Sequence, residues 1–322
     1  MSQKIVGMLS SYRGLSDRAD WLWKQTPHPF GLWGNMQMLA KADKPDFLLL
    51  YQFDFFTLPK PQSLPWWKSW QSQKKPPTQP DFSSLMRGVS KERIIYLLRE
   101  PPLEEVIAKN KANYQAASQY CGYVSGPDNF APNPDYMPAI WYVDNSFREL
   151  NEMGAPEKTR SCSWITSGID RTANHRKRLD FLKLLRENEI DFDLYGRGLP
   201  DWANGCGSVD NKWSAMAPYY YNLAIENYAD NEWYASEKLW DALLSWCLPL
   251  YYGGTAADKL LPPGSFLRLP SLDERGMAYI KEVTANLDAW HEAKDAIAQA
   301  RQIILHKLNL LAWLSDFVGK FS

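Results

Sequence analysis

The residues best placed to do chemistry lie between positions 219 and 254, in the stretch YYYNLAIENYADNEWYASEKLWDALLSWCLPLYYGG. A short apolar run delivers Glu226 and Asn227 to its C-terminal end. A polar loop follows, with Tyr234 near its close. Ser236 then stands where a helix would be capped, with Glu237 and Lys238 in the first turn. A helix N-terminus leaves N–H groups unpaired and carries partial positive charge, so it attracts phosphate oxygens. Lys238 adds a full charge aimed at the same anion, and Glu237 beside it suits hydrogen bonding to ribose hydroxyls. Such a site holds a nucleoside diphosphate without a metal. An ordinary βαβ unit with a charged first turn has the same spacing, and spacing alone does not choose between the two.

A second candidate is Glu100. It follows the apolar run RIIYLL at 93–98 and is closed off by Pro101 and Pro102, which end a strand at once. That places a carboxylate at the C-terminal edge of a strand, where open α/β sheets bind their ligands. Asp191 and Asp193 form a D-x-D pair of the kind that holds a divalent metal in some enzymes. Here it opens a predicted strand with period-two alternation, so it reads as structural. G-x-x-x-x-G-K-[ST], G-x-G-x-x-G after a strand, and G-x-S-x-G are all absent, which argues against kinases, dehydrogenases and α/β-hydrolases.

The elements that must position these groups alternate strand and helix, the signature of parallel βαβ units. Strands are expected at 4–9, 46–53 and 93–98, with a further segment at 114–124. The stretch 58–81 breaks the pattern with six prolines and Trp66, Trp67 and Trp70, and reads as a surface insertion. Composition turns polar around 149–160, where the domain boundary is placed. Beyond it come a strand at 162–167, a helix from 176 to about 188, a strand at 192–195, the strand, loop and helix already described, and a strand at 248–252. A long helix or helix pair at 287–317 closes the chain, with apolar residues that can dock back across both domains. The expected organisation is a first domain at 1–155, a second at 156–290 and a helical segment at 291–322.

The chain has 322 residues, 45% hydrophobic and 23% charged, enough for two packed domains. Lys and Arg number 36 and Asp and Glu 37, a net charge of −1, which speaks against nucleic acid as the partner. No apolar run reaches the roughly 18 residues of a membrane span. The N-terminus lacks the features of a signal peptide. Cys121, Cys162, Cys206 and Cys247 are far apart, as in a reduced cytosolic protein, and the four histidines (His28, His175, His291, His306) form no metal pattern. The 15 tryptophans fit a Trp-rich core or rings that stack on sugars.

The order Tyr–x–x–Leu–Ala–x–Glu–Asn, a loop, Glu–Lys–Leu–Trp–x–Ala–Leu, then Pro–Leu–x–Tyr–Gly–Gly resembles the signature of glycosyltransferase family 10, the α-1,3-fucosyltransferase family, in a divergent bacterial-type form. The similarity extends back through Arg178 and Asp193-Leu194-Tyr195-Gly196 and forward through 261–266. In the N-terminal half, IIYLLREPP resembles the strand ending in Glu–x–Pro. Arg99 and the double proline beside Glu100 depart from the family pattern. The resemblance implies the GT-B architecture, two Rossmann-like parallel-sheet domains facing a cleft with a C-terminal helix packing back. It implies transfer of fucose from GDP-fucose to a glycan hydroxyl, with inversion and without a metal or other cofactor. Glu100 would then be the base. Arg178 and Lys238 would be diphosphate ligands, with Arg176 competing for the first role, and Glu226, Asn227, Tyr234 and Glu237 would be donor contacts. A cytoplasmic location follows, with at most peripheral membrane association. Two other expectations stay open: a transferase of this fold using another sugar nucleotide, and a non-catalytic carbohydrate-binding protein.

Overall fold

The computed structural model describes residues 3–12, 15, 20–56 and 82–321. The insertion expected at 58–81 therefore lies outside the described residues. Two sheets dominate. The first contains β1 (Lys4–Leu9), β2 (Leu32–Trp33), β3 (Met36–Met38), β4 (Phe47–Tyr51), β5 (Ile94–Leu97), β6 (Tyr123–Gly126) and β7 (Asn133–Pro134), in the order β2-β3-β1-β4-β5-β6-β7. All neighbours are parallel except β2 and β3. The second contains β8 (Arg160–Ile165), β9 (Asp193–Tyr195), β10 (Tyr219–Ile225), β11 (Leu248–Tyr252) and β12 (Leu267–Arg268), in the order β12-β11-β10-β8-β9, all parallel.

Strand sequence and burial agree. β4 reads FLLLY and is buried throughout, as a central strand of a two-sided parallel sheet must be. Phe47, Leu49 and Tyr51 face one core, while Leu48 and Leu50 face another. The second core is closed by α2 (Ile107–Tyr120) through Tyr114 and Ala117. The segment expected at 114–124 holds the end of that helix, which runs to Tyr120, and the start of β6 at Tyr123. The residues that α2 buries include Asn110 and Asn113, so it shows no apolar stripe by which to recognise it. The short α1 (Asp20–Trp23) flanks this half, while α3 (Phe147–Glu152), with a capping box made by Ser146 and Glu149, buries Phe147 and Leu150 in the core of the second sheet.

Around the second sheet pack α4 (Ala173–Glu187), α5 (Glu237–Leu244), α6 (Ala256–Leu260), α7 (Glu274–Thr284) and α8 (Asp288–Ile303). Phe181, Leu182 and Leu185 of α4, Leu239, Leu243 and Leu244 of α5, and Trp290, Ile297 and Ala300 of α8 share one large core. A π-turn at Ile304–Leu308 leads to α9 (Leu310–Gly319). That helix leaves the second core. Its Leu310, Leu311, Leu314, Phe317 and Val318 pack against Val6, Met8, Phe47 and Ile95 of the first sheet. The helical segment expected at 291–322, as a helix or helix pair able to dock across both domains, divides between the two cores.

The chain passes between the sheets twice, at 135–159 and near 309. The two passages are joined to each other. Ala139 N–H donates to the Leu308 carbonyl at 2.6 Å, and Leu310 N–H donates to the Ala139 carbonyl at 2.9 Å. Asn309, fully buried, donates through its amide to the Gln25 carbonyl and accepts from Leu311 N–H. Among the described residues no helix is long and apolar enough to cross a membrane.

Candidate active site

The C-terminal ends of both sheets face a shared cleft, and the strand ends carry the candidate residues. β10 ends at Ile225, so Glu226 and Asn227 leave the sheet just where the expected strand would deliver them. Glu226 is 1% exposed. Its carboxylate accepts from Ser236 N–H at 2.8 Å, from Ser236 Oγ at 2.7 Å and from Lys238 Nζ at 3.1 Å. Ser236 in turn caps α5, accepting from Lys238 N–H. Glu226 therefore holds the first turn of α5 and its lysine from behind, and is itself spent on that work. A buried carboxylate survives only with such partners.

The loop from 227 to 234 is fixed by Asn231. Its Oδ1 accepts from Trp233 N–H and Tyr234 N–H, and its Nδ2 donates to the Pro127 carbonyl beyond the first sheet. Trp233 Nε1 donates to Asn129 Oδ1 at 2.8 Å. Gly254 at the end of β11 lets the Asn231 carbonyl approach, since a Cβ there would stand 2.0 Å from that oxygen. The loop thereby ties the two halves together while presenting Tyr234 to the cleft.

On the opposite side, β5 ends at Leu97 and runs into Arg99 and Glu100. Gln52, just past β4, adopts a left-handed backbone with φ of 50°, rare for a non-glycine residue and common at functional sites. Its Oε1 accepts from Arg99 N–H at 2.7 Å and from Glu100 N–H at 3.2 Å. The Glu100 carboxylate accepts a short hydrogen bond from the Tyr12 hydroxyl. Arg99 crosses the cleft. Nη1 donates to the Tyr142 hydroxyl at 2.7 Å, Nη2 pairs with the Glu237 carboxylate, and the guanidinium lies over the Tyr142 ring. Tyr142 is held through its own N–H by Asp241 Oδ1 at 2.8 Å, and Asp241, fully buried in α5, is paired with Lys212 at 2.7 Å.

Arg99, Glu100, Tyr142, Asn227, Tyr234, Glu237 and Lys238 line one cavity of about 220 Å³. A second, of about 390 Å³, shares Tyr142 and Glu237 with it and continues along the ends of β8 and β9 past Thr166, Ser167, Gly196 and Arg197. Gly196 is required there, because a Cβ would meet the Thr166 carbonyl at 1.6 Å. Burial works to raise the Glu237 carboxyl, but Lys238, Arg99 and Lys212 overcome it and hold the group well below the usual carboxylate range. Burial alone would lower Lys238, yet Glu226 and Glu237 raise it above an ordinary lysine. Both groups stay charged at neutral pH.

Five of the seven residues expected from sequence thus meet at one cavity: Glu100, Asn227, Tyr234, Glu237 and Lys238. Two do not line it. Glu226 lies behind Lys238, and Arg178 lies beneath Asn227. Arg178 donates to Asn227 Oδ1 at 2.5 Å and to the Ser167 and Ile169 carbonyls, leaving its Nε without a partner. Burial pulls its guanidinium down to about 10. Arg176, the competing position, bonds the Asp170 carbonyl instead. The D-x-D acids sit at the opposite, N-terminal end of β9, where Asp193 is taken up by Arg160 and Tyr219, in line with a structural role. Among the described residues no group of three or more His, Cys, Asp or Glu side chains gathers as a metal site would.

The family model described as "Glycosyltransferase family 10 (fucosyltransferase) C-term" matches residues 155–293, a span that holds all of the second sheet and its half of the cavity. Over residues 155–293 the chain is thus similar to the C-terminal domain of that family. Alpha-(1,3)-fucosyltransferase C of Drosophila melanogaster is 30% identical over 144 residues, 41% of this chain. The match spans 30% of that relative's length. An α-glucosyltransferase solved with UDP and a 13-mer DNA aligns over 100% of both chains with a TM-score of 0.56 and 10% identity. That likeness shows the fold: two parallel sheets facing a cleft, the GT-B arrangement. An α1,3-fucosyltransferase solved with GDP-fucose covers 91% of this chain and 81% of its own at 15% identity, with a TM-score of 0.42. The matched span contributes Asn227, Tyr234, Glu237 and Lys238. Arg99, Glu100 and Tyr142 come from outside it.

Proposed function

We propose that the chain transfers L-fucose from GDP-fucose to a hydroxyl of a glycan acceptor, with inversion at the anomeric carbon and without a divalent metal. The observation that carries this reading is the cavity between the sheets, which sets the Glu100 carboxylate opposite Lys238 and the N-terminus of α5. The sugar nucleotide lies with its diphosphate toward Lys238 and the free N–H groups of α5. Glu237 is suited to the ribose hydroxyls. The acceptor hydroxyl enters beside Glu100, in the place where the Tyr12 hydroxyl now donates to that carboxylate. As the acceptor oxygen bonds to the fucose C1, Glu100 takes its proton, and the bond from C1 to the phosphate oxygen breaks with its electron pair going to GDP. The positive charge of Lys238 stabilises the negative charge growing on the leaving diphosphate, a task a metal performs in other transferases.

A thermal-shift screen tests the reading, because a ligand that binds the folded chain raises its stability by mass action. GDP and GDP-fucose are expected to raise the melting temperature, with EDTA present or absent, while UDP, ADP and CMP do not. A shift with UDP or CMP alone would keep the fold and overturn the donor. No shift with any nucleotide would point to a non-catalytic protein.

A further inference from the structure

The cations around the cavity are not equally free to meet a phosphate. Lys212 is bound to Asp241 at 2.7 Å. Lys238 stands between Glu226 at 3.1 Å and Glu237 at 3.8 Å. Arg178 has committed both Nη atoms to Asn227, Ser167 and Ile169 and does not line the cavity. The lining itself carries Arg99 and Lys238 against Glu100 and Glu237, a balance of zero. A diphosphate brought in against Lys238 alone would face three carboxylates with too little positive charge to hold it, since like charges repel strongly where water is thin. One cation is differently placed. Arg99 reaches in from the first sheet, with its side chain 14% exposed and its backbone fixed by Gln52. Its guanidinium rests on the Tyr142 ring and is bonded to that residue's hydroxyl. Among the described residues its ion-pair partner is Glu237. The planar fork of an arginine matches phosphate oxygens two at a time.

We propose that Arg99 is a second phosphate ligand for the donor, supplied across the cleft by the first sheet, and that its pair with Glu237 is the resting arrangement which the donor exchanges. The exchange moves the guanidinium from the Glu237 carboxylate to the phosphate oxygens and frees Glu237 for the ribose. The donor then comes to bridge both sheets. This rests on the reading of the cavity as a site for a nucleoside diphosphate sugar. A purely structural role for Arg99, as a tie between the sheets, makes a different prediction. In that case its removal would loosen the cleft and weaken guanosine and GDP alike.

Isothermal titration of guanosine, GMP and GDP into the full chain separates the two. For Arg99→Gln, GDP affinity is expected to fall roughly ten- to hundredfold, while guanosine affinity stays within about twofold of wild type. Arg99→Lys keeps the charge and the partner of Glu237, so it holds the fold even if the glutamine variant does not. It lacks the fork, and GDP affinity is expected to fall about three- to tenfold, again with guanosine unchanged. Equal or tighter GDP binding by either folded variant would overturn the proposal, as would a loss shared equally by guanosine and GDP. A wild-type chain that binds none of the three would overturn the nucleotide reading of the cavity itself, an outcome visible before any variant is made.

Discussion

The two sides of the cleft are built in different ways. The side on the second sheet comes from one βαβ unit. Glu226, Asn227, Ser236, Glu237 and Lys238 lie within thirteen consecutive positions, and their geometry follows from a strand end, a cap and a helix start. The side on the first sheet is assembled from four distant places: Tyr12, Gln52, Arg99 with Glu100, and Tyr142. A local unit can be carried as a motif and keeps its electrostatics wherever it is folded. A dispersed set depends on every strand end that contributes to it. The first side is thus built to hold one ligand chemistry, and the second can be changed one strand at a time.

This contrast makes predictions that differ in size. The largest concerns the dispersed side. Glu100→Gln should lower the rate of transfer about 10²- to 10⁴-fold, the usual worth of a general base, and leave GDP binding by titration unchanged. Transfer at near the wild-type rate would remove Glu100 from the reaction. Next comes the local side. Lys238→Met leaves the Glu226 carboxylate buried without its cation, and breaking such a pair costs about 3–5 kcal/mol. Denaturant unfolding should show that loss, together with weaker GDP binding. A loss under about 1 kcal/mol would mean that Ser236 alone satisfies Glu226.

The smallest effect joins the two sides. Despite burial, the Glu237 carboxyl is held well below its ordinary value by Lys238, Arg99 and Lys212. Its folded pKa lies below its unfolded value near about 4.3. The stability it contributes is therefore complete above that pH and is lost as pH falls toward the folded pKa. Melting temperatures measured from pH 7 down to 3 should fall less steeply below pH 4.5 in Glu237→Gln than in wild type. Parallel curves would show that the pair across the cleft adds nothing.

The same contrast explains what could be read from sequence. The unit at 219–254 was legible because its chemistry and its periodicity occupy the same few turns. Ser236 caps the helix, Glu237 and Lys238 open it, and β10 and β11 lie in register from Tyr221 with Leu248 to Ile225 with Tyr252. Glu100 was legible from the double proline that ends its strand. Tyr12, Gln52 and Tyr142 were not, because nothing near them in sequence says which strand end they will meet. Asp241 did leave a signal, an acid inside the apolar run LWDALL, where a charge demands a partner. That signal does not name Lys212. The donor role expected for Arg178 came from the family resemblance and not from its neighbours in sequence, which do not say that it will lie under Asn227.

Helix α9 has a consequence for how the molecule comes into being. Its apolar face completes the core that Val6, Met8 and Phe47 begin, yet it is synthesised after the whole of the second sheet. Domains ordinarily fold as they emerge from the ribosome, the N-terminal one first. Here the earlier sheet stays unsealed on one face until residues 310–319 arrive. The strands of the second sheet are contiguous from Arg160 to Arg268, and α8, which completes their core, precedes α9 in the chain. The half that bears Arg99 and Glu100 is thus sealed by the last segment of this sequence to be translated.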